Sequence, residues 1–228
     1  SGWMGGLLAR VARSMALGFA DPVRRIDGAV RYALADASGE DSVDYMDRLW
    51  VPFEVPGPGG LRVIEPFRDD RVVRVDGHPT RVFRFDTPEQ WTLPIATDVP
   101  EVAVRLGFDS GAAGLGLWAL VRLGVFRLLR GDRFRTIRRS LLRTPGSEKA
   151  ALARSSFRVD VSGAGGHAMS RTIVGEGQAK LTAVGAWLAL RQGLSSGPGV
   201  HLPEQDPDHA SLLSVRLPAA GVTVFDET

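Results

Sequence analysis

The amino-acid sequence predicts an α+β fold, with a mixed, mostly antiparallel sheet and helices packed on one face. Two stretches of alternating apolar residues, 71–85 and 157–174, surround glycine-containing turns and therefore predict β-hairpins. Apolar residues at helical spacing predict helices near both ends of the chain and in its middle. No segment combines a strand, a phosphate-binding glycine loop and a following helix, so we expect no Rossmann domain within this chain.

In the N-terminal part, residues 5–17 predict a helix and residues 30–34 predict a strand. The helix places four apolar side chains on one face: Leu7, Leu8, Val11 and Met15. The stretch 54–60, EVPGPGG, predicts a loop because proline and glycine interrupt regular structure.

The central part begins with the hairpin 71–85, whose turn pair is Asp76-Gly77. Its predicted apolar face contains Val73, Val75, Phe83 and Phe85. Residues 101–108 alternate regularly and predict a strand with the apolar side chains Val102, Val104, Leu106 and Phe108 on one side.

The chain then becomes helical. Residues 111–130 predict one long apolar helix that is interrupted by Arg122. A basic amphipathic helix follows and is capped by Asp132. Its predicted inward side chains are Phe134, Ile137 and Leu141.

The glycine run Gly163–Gly166 follows a strand, as a phosphate-binding loop would, but residues 167–174 after it favour another strand. The run is therefore predicted to be a hairpin turn, in which glycine supplies positive φ. An apolar helix is predicted from Gln178 to Gln192 and ended by Gly193, and a short strand at 221–225 closes the chain.

Composition restricts the function. The 228 residues are 44% hydrophobic and 24% charged, which is typical of a globular protein. No cysteine occurs, which excludes zinc–thiolate sites and thiol nucleophiles, and no nucleophile elbow or P-loop lysine supports a hydrolase or kinase. The net charge of +2 gives no reason to expect nucleic acid as a partner. We expect a cytoplasmic protein, because the absence of cysteine is compatible with that compartment and the first residues form no signal peptide.

Five stretches, in this order, resemble the C-terminal part of saccharopine dehydrogenase-like NAD(P)-dependent oxidoreductases. They are PEVAVRLGFDS (100–110), the glycine-rich hairpin (157–174), GEGQAKLTAVGAWLALR (175–191), PGVHLPE (198–204) and GVTVF (221–225). The start, GWMGGLLA (2–9), resembles the segment that leaves the family's nucleotide-binding domain, with Gly5-Gly6 where the family usually has Pro-Gly.

The resemblance implies that residues 1–25 are a helical segment continuing from an absent N-terminal nucleotide-binding domain. It implies that residues 26–228 form the C-terminal α+β substrate and dimerisation domain. Family chemistry is hydride transfer between a nicotinamide and an amine, imine or activated carbon. NAD or NADP would be bound mainly by the absent Rossmann domain, so we expect no cofactor on this chain alone. The implied partners are a small-molecule substrate, the Rossmann domain of the same protein and a second copy in a homodimer.

Lys180 is the first candidate substrate contact, because it lies in the first turn of an otherwise apolar helix. The helix dipole disfavours a cation there by about 0.3–1 kcal/mol, which a bound carboxylate or phosphate would offset. The alternative is a solvated lysine whose stem lies along Leu181. Thr182 and Gln178 are neighbours that could hydrogen-bond a ligand, although Gln178 also fits a helix cap.

Arg105 and Asp109 are the other candidate substrate contacts. Asp109 ends the strand 101–108, and Arg105 projects from the polar side of that strand, from which it could grip a carboxylate. The alternative for Arg105 is an ion pair on the sheet surface. We expect no metal site, since none of the four histidines has a paired ligand spacing: His78, His167, His201 and His209.

An alternative function is a non-catalytic module that binds a membrane or a protein partner. The apolar stretch 111–130 is nearly long enough to span a bilayer, and the adjacent arginine cluster favours anionic headgroups. The cluster comprises Arg122, Arg127, Arg130, Arg133, Arg135, Arg138, Arg139 and Arg143. Because Arg122 interrupts the stretch and its glycines suit close packing, we expect a buried core helix beside an exposed basic one, and a membrane surface only as the less favoured partner.

Overall fold

The structure, a computed structural model, describes residues 3–36, 40–48, 51–142 and 153–226. The helices are α1 (Trp3–Leu17), α2 (Glu40–Met46), α3 (Glu89–Thr97), α4 (Gly111–Arg122), α5 (Val125–Leu128), α6 (Arg135–Leu142), α7 (Gly177–Ser195), α8 (His209–Ser211) and α9 (Leu217–Ala219). The strands are β1 (Val23–Tyr32), β2 (Phe53–Gly57), β3 (Gly60–Ile64), β4 (Arg71–Val75), β5 (His78–Arg84), β6 (Glu101–Phe108), β7 (Arg154–Gly163), β8 (Ala168–Glu176) and β9 (Thr223–Asp226). Single turns of 3-10 helix lie at Asp132–Phe134 and Pro203–Gln205, and a π-helical turn lies at Leu212–Arg216.

Seven strands form one sheet in the order β4-β5-β6-β1-β7-β8-β9. Strands β1 and β6 pair in parallel, and the other neighbouring pairs of this sheet are antiparallel. The sheet curls, so that Val75 of β4 and Val82 of β5 pack with Ala29 of β1. The predicted α+β class, with a mixed and mostly antiparallel sheet, is confirmed.

The main core lies between one face of the sheet and the helices. Helix α1 contributes the fully buried Leu7 and Leu8, and α7 contributes the fully buried Leu181 and Leu188. Burying a side chain of this size stabilises the fold by about 1.5–3 kcal/mol. Gly28 of β1 lets α1 approach closely, since a Cβ there would lie only 3.2 Å from Cδ1 of Leu8. Helix α1 is thus packed into the same core as the sheet.

The glycine run Gly163–Gly166 forms the tip of the β7–β8 hairpin, as predicted. The tip packs against the loop that joins α1 to β1. A Cβ at Gly163 would lie 2.6 Å from Cε1 of Phe19, and a Cβ at Gly165 would lie 2.6 Å from Oδ2 of Asp21. Close packing therefore explains why small residues occupy this turn.

The predicted hairpin 71–85 and strand 101–108 are also confirmed as β4–β5 and β6. The predicted apolar face of the hairpin is wrong, because Val73 and Val75 pack on the second face of the sheet, whereas Phe83 and Phe85 are buried in the main core. Strand β6 buries its predicted apolar side chains, and it buries Ala103 and Arg105 on the opposite side as well. Both sides are covered because the main core lies on one face of β6 and the sheet curls over its second face.

Two N-terminal predictions are wrong. The stretch 54–60 is not a loop but part of the β2–β3 hairpin, in which Phe53 pairs with Ile64. The predicted strand 30–34 is the end of β1, which begins at Val23 and stops before Leu34. Proline in EVPGPGG suggested a break, but this two-stranded hairpin tolerates it at an edge position.

The predicted continuous helix 111–130 is wrong as well. Helix α4 ends at Arg122, Gly124 has φ +74°, and α5 contains only Val125–Leu128. Glycine adopts this left-handed conformation without the cost that a side chain imposes, so the break falls there. Among the residues that the structure describes, no helix is both long and apolar enough to cross a membrane.

The basic helix is α6, and its buried face differs from the predicted one. Arg138 and Leu142 are buried in it, whereas Ile137 and Leu141 are 49% and 51% exposed and Phe134 before it is half-buried. The guanidinium of Arg138 donates two hydrogen bonds to the carboxylate of Asp47, at 2.6 and 2.9 Å. This bidentate pair explains how a charged side chain can replace an apolar one on the buried face.

Two further differences concern the ends of predicted elements. Helix α7 continues through Gly193 to Ser195, so Gly193 does not end it. The last arginine of the predicted cluster, Arg143, lies outside the described residues.

Candidate functional site

The candidate site lies where the parallel strands β1 and β6 end side by side, with Tyr32 opposite Phe108. The backbone N–H of Asp109 donates to the carbonyl of Tyr32 at 2.9 Å, and its carboxylate accepts the N–H of Leu34 at 3.1 Å. The carboxyl ends of parallel strands are common ligand positions. Asp109 therefore lies at this edge, where its carboxylate fixes the segment 33–36.

The first turn of α7 reaches the same edge through Asp36. The carboxylate of Asp36 accepts the backbone N–H of Gln178 at 2.5 Å. It satisfies one of the amides that the start of every helix leaves without an intrahelical partner. Gln178 is thus capped by Asp36 rather than being the cap itself. Segment 33–36 therefore connects two of the predicted site residues, Asp109 and Gln178.

Lys180 has a partner within its own helix turn. Its Nζ lies 2.8 Å from Oε2 of Glu176, four residues earlier, and the hydrogen bond from Lys180 lowers the pKa of Glu176. The lysine therefore needs no bound anion to explain its position. Thr182 is exposed on α7. The pair with Glu176 accounts for the charge of Lys180 within the chain, and a substrate contact by Lys180 stays a prediction.

Arg105 lies apart from this edge, on the second face of the sheet. Its guanidinium is 2% exposed and donates to Asp27 at 2.7 Å and to Asp69 at 2.5 Å. Burial opposes ionisation of Asp27, but hydrogen bonds from Arg25 and Arg105 outweigh it and hold the pKa of Asp27 below its ordinary value. Arg105 is thus engaged in the ion-pair alternative.

Two cavities open at the edge, on different faces of α4. The apolar cavity has a volume of about 380 Å³, and its lining includes Tyr32, Leu34, Leu117, Leu120, Leu141 and Leu142. The polar cavity has a volume of about 170 Å³, and its lining includes Arg31, His78, Arg81, Phe108, Asp109 and Ser110. Together they place an apolar surface and a charged surface around the ends of β1 and β6.

Sequence analysis missed Arg31, which the structure places at the end of β1 in the polar cavity. In the sequence Arg31 is only a polar residue that alternates with apolar ones, as on any half-exposed strand. Its cross-strand neighbours are Gly107 and Ser156, neither of which is charged. The lack of a charged neighbour beside Arg31 depends on strand pairing, so it cannot be read from the sequence alone.

The described residues contain no group of three or more histidine and acidic side chains arranged to hold a metal ion. Two of the four histidines have ring nitrogens that contact backbone carbonyls. Nε2 of His201 lies 2.7 Å from the carbonyl of Gly197, and Nε2 of His209 lies 3.0 Å from the carbonyl of Glu204.

No protein-family model matches the sequence, and no curated protein matches it. Among solved structures, the chain is similar to apo saccharopine dehydrogenase (L-Glu forming) from Saccharomyces cerevisiae. The two are 9% identical with a TM-score of 0.49, over 99% of this chain and 72% of the yeast chain. A similarity of this degree transfers no residue role, so the site must be argued from its own geometry.

Proposed function

We propose that this chain is the C-terminal substrate-binding and dimerisation domain of a saccharopine dehydrogenase-like oxidoreductase. In this proposal a nucleotide-binding domain outside the chain binds NAD or NADP and supplies the hydride. This chain holds and orients the substrate at the ends of β1 and β6. It is therefore incomplete as an enzyme without its partner domain.

The observation that carries the proposal is the meeting of two resembling stretches at one sheet edge. PEVAVRLGFDS ends beside Asp109, and GEGQAKLTAVGAWLALR begins beside Gln178. These stretches are about 70 residues apart in sequence, yet segment 33–36 bonds to both, through Leu34 and Asp36. A ligand site at this edge would explain why both stretches belong to the resemblance.

The cavities at the edge support a small-molecule substrate. Pockets for small molecules are usually apolar with a few polar groups that fix orientation. Here the apolar cavity offers burial for a hydrocarbon part, and the polar cavity offers a guanidinium and a hydroxyl, from Arg31 and Ser110. These side chains bind and orient, and hydride transfer itself requires the nicotinamide.

The dimerisation part of the proposal is supported by two exposed features. In the described part of the chain, β9 pairs with β8 alone, so its outer edge is open to a further strand. The outer face of α7 also exposes Trp187, Leu190 and Leu194. An isologous dimer in solution, detected by light scattering, is the expected result, and a monomer at high concentration would contradict it.

The test of the proposed function begins with the natural reading frame around this chain. We expect it to encode a G-x-G-x-x-G nucleotide-binding domain before Ser1, and the joined protein to oxidise NADH or NADPH with a suitable imine or carbonyl substrate. A reading frame without such a domain, or a joined protein that binds no dinucleotide, would overturn the proposal.

A further inference from the structure

Arg31 differs from the other arginines on its face of the sheet. Arg25 and Arg105 both pair with Asp27, and Arg158 pairs with Asp160. The side chain of Arg31 forms no ion pair, hydrogen bond or ring contact with any residue that the structure describes, and the residue is half-buried. A guanidinium without a counter-charge at the wall of a cavity is free to pair with a bound anion.

The cross-strand neighbours of Arg31 carry no charged side chain. Gly107 is its partner in β6 and has no side chain, and Ser156 is its partner in β7. Any side chain at Gly107 is excluded, because a Cβ there would lie 2.5 Å from the carbonyl oxygen of Arg81. Neither neighbouring strand therefore places a carboxylate opposite Arg31, which lines the polar cavity at the end of β1.

We propose that the polar cavity lined by Arg31 binds an oxyanion, namely the carboxylate or phosphate group of a small-molecule ligand. The inference rests on the proposed function only in assigning this group to the substrate. A guanidinium pairs with either oxyanion through two parallel hydrogen bonds. The volume of about 170 Å³ suits one such group rather than a whole dinucleotide.

The other groups of the cavity tune its charge. Arg81 adds a second guanidinium, although Asp70 lies 2.6 Å from it and offsets part of its charge. Ser110 caps the 12-residue helix α4, whose positive end adds to the positive field of the cavity. Asp109 opposes an anion. With two arginines and one aspartate in its lining, the cavity has a formal charge of +1, which it would lose without Arg31.

Because Arg31 attracts an anion and Asp109 repels one, replacing these two residues should change the anion affinity in opposite directions. The 228-residue chain is titrated by calorimetry with inorganic phosphate and, separately, with succinate. We expect saturable binding of at least one of them, and the comparison tells which oxyanion the cavity prefers. Arg31→Gln should weaken that binding by about tenfold or more, as loss of a charge-assisted contact does. Asp109→Asn should strengthen it, because the amide oxygen still accepts the N–H of Leu34 while the opposing charge is removed.

The matched control is Arg130→Gln, which removes one positive charge from an exposed arginine outside the cavity. It should change the affinity by less than about twofold at moderate salt. If Arg31→Gln does not fold, Arg31→Lys keeps the charge but loses the bidentate geometry, and a smaller weakening is expected. Failure of both anions to bind, or binding that Arg31→Gln leaves unchanged, would overturn the inference. Either result is independent of whether a nucleotide-binding domain exists.

Discussion

Asp21 and His167 join the tip of the β7–β8 hairpin to the loop between α1 and β1, with Oδ2 of Asp21 lying 2.6 Å from Nδ1 of His167. The same carboxylate oxygen closes the space above Gly165. The glycine turn, which in sequence raises the possibility of a phosphate loop, is thus occupied by a protein carboxylate. A phosphate at this position would face a negative charge.

Replacing Gly165 should therefore affect stability. Gly165→Val forces the turn away from Asp21, and we expect a loss of about 1–3 kcal/mol in the free energy of unfolding, as for other overpacked sites. Urea denaturation measures it. Gly197→Ala is the control, since a Cβ there meets nothing within 4 Å. Equal stabilities of the two variants would contradict the packing explanation.

A second prediction concerns the buried pair Arg10–Asp206. Arg10 is 0% exposed and donates to Asp206 at 2.6 Å, with Gln192 and the carbonyl of Pro203 as further acceptors. Asp206→Asn leaves the arginine charge buried without its counter-ion, and it should destabilise the protein by about 3–5 kcal/mol. Thermal and urea unfolding measure this loss.

The matched control for this pair is Asp226→Asn, because Asp226 pairs with Arg171 on the surface and its side chain is 73% exposed. That change should stay within about 1 kcal/mol. If both substitutions lower the free energy of unfolding equally, the buried Arg10–Asp206 pair does not stabilise the contact between α1 and residues 198–216.

The start of α7 should depend on Asp36 more than on Lys180. Asp36→Ala removes the acceptor of the Gln178 amide, and loss of such a cap costs about 0.5–2 kcal/mol. Lys180→Met removes a surface pair of the i, i+4 type and should change stability by no more than about 0.5 kcal/mol. The reverse order, measured by urea denaturation, would show that Lys180 has a structural role that its contacts do not explain.

Stability should also fall in mildly acidic solution because of His209. Burial lowers the pKa of His209 below its ordinary value of 6.5. The unfolded chain therefore binds a proton more readily than the folded one. The stability that neutral His209 contributes is complete above pH 6.5 and is lost as pH falls through the folded pKa. Unfolding midpoints between pH 8 and 5 should decline, and His209→Gln should flatten that decline. An unchanged slope in the variant would assign the pH effect to other groups.

Local patterns in the sequence predicted much of the sheet. Strand β6 and the two long hairpins follow from alternation and turn glycines, which act over a few residues. Local patterns failed at two places. Proline and glycine in 54–60 suggested a loop where a hairpin forms, and the apolar content of 111–130 suggested one continuous helix where two form. The helix breaks at Gly124, whose backbone has φ +74°.

The candidate site was less accessible from the sequence. Asp109 and Gln178 were chosen from strand-end and helix-start positions, and the structure brings both to one edge. Lys180 was chosen for its place in the first turn of an apolar helix and Arg105 for its place on the polar side of a strand. Their partners in the structure, Glu176 and Asp27, depend on the folded geometry. The cavity of Arg31 arises from the pairing of β1 with β6, which no local pattern encodes.

The most direct test of the central claim is titration calorimetry of the 228-residue chain with NADH and NADPH. In the described part of the chain, Gly163–Gly166 leads into β8. Strand β6 does lead into α4, but the next strand, β7, runs antiparallel to β1 and therefore to β6, so neither glycine-rich turn belongs to a βαβ dinucleotide unit. Without such a unit to hold the pyrophosphate and the ribose, a few contacts cannot offset the entropy of association. We therefore predict no measurable heat of binding for either cofactor, and binding once the chain is joined to its nucleotide-binding domain. A micromolar dissociation constant for this chain alone, abolished by Gly165→Val, would contradict the account and identify the glycine turn as a phosphate site.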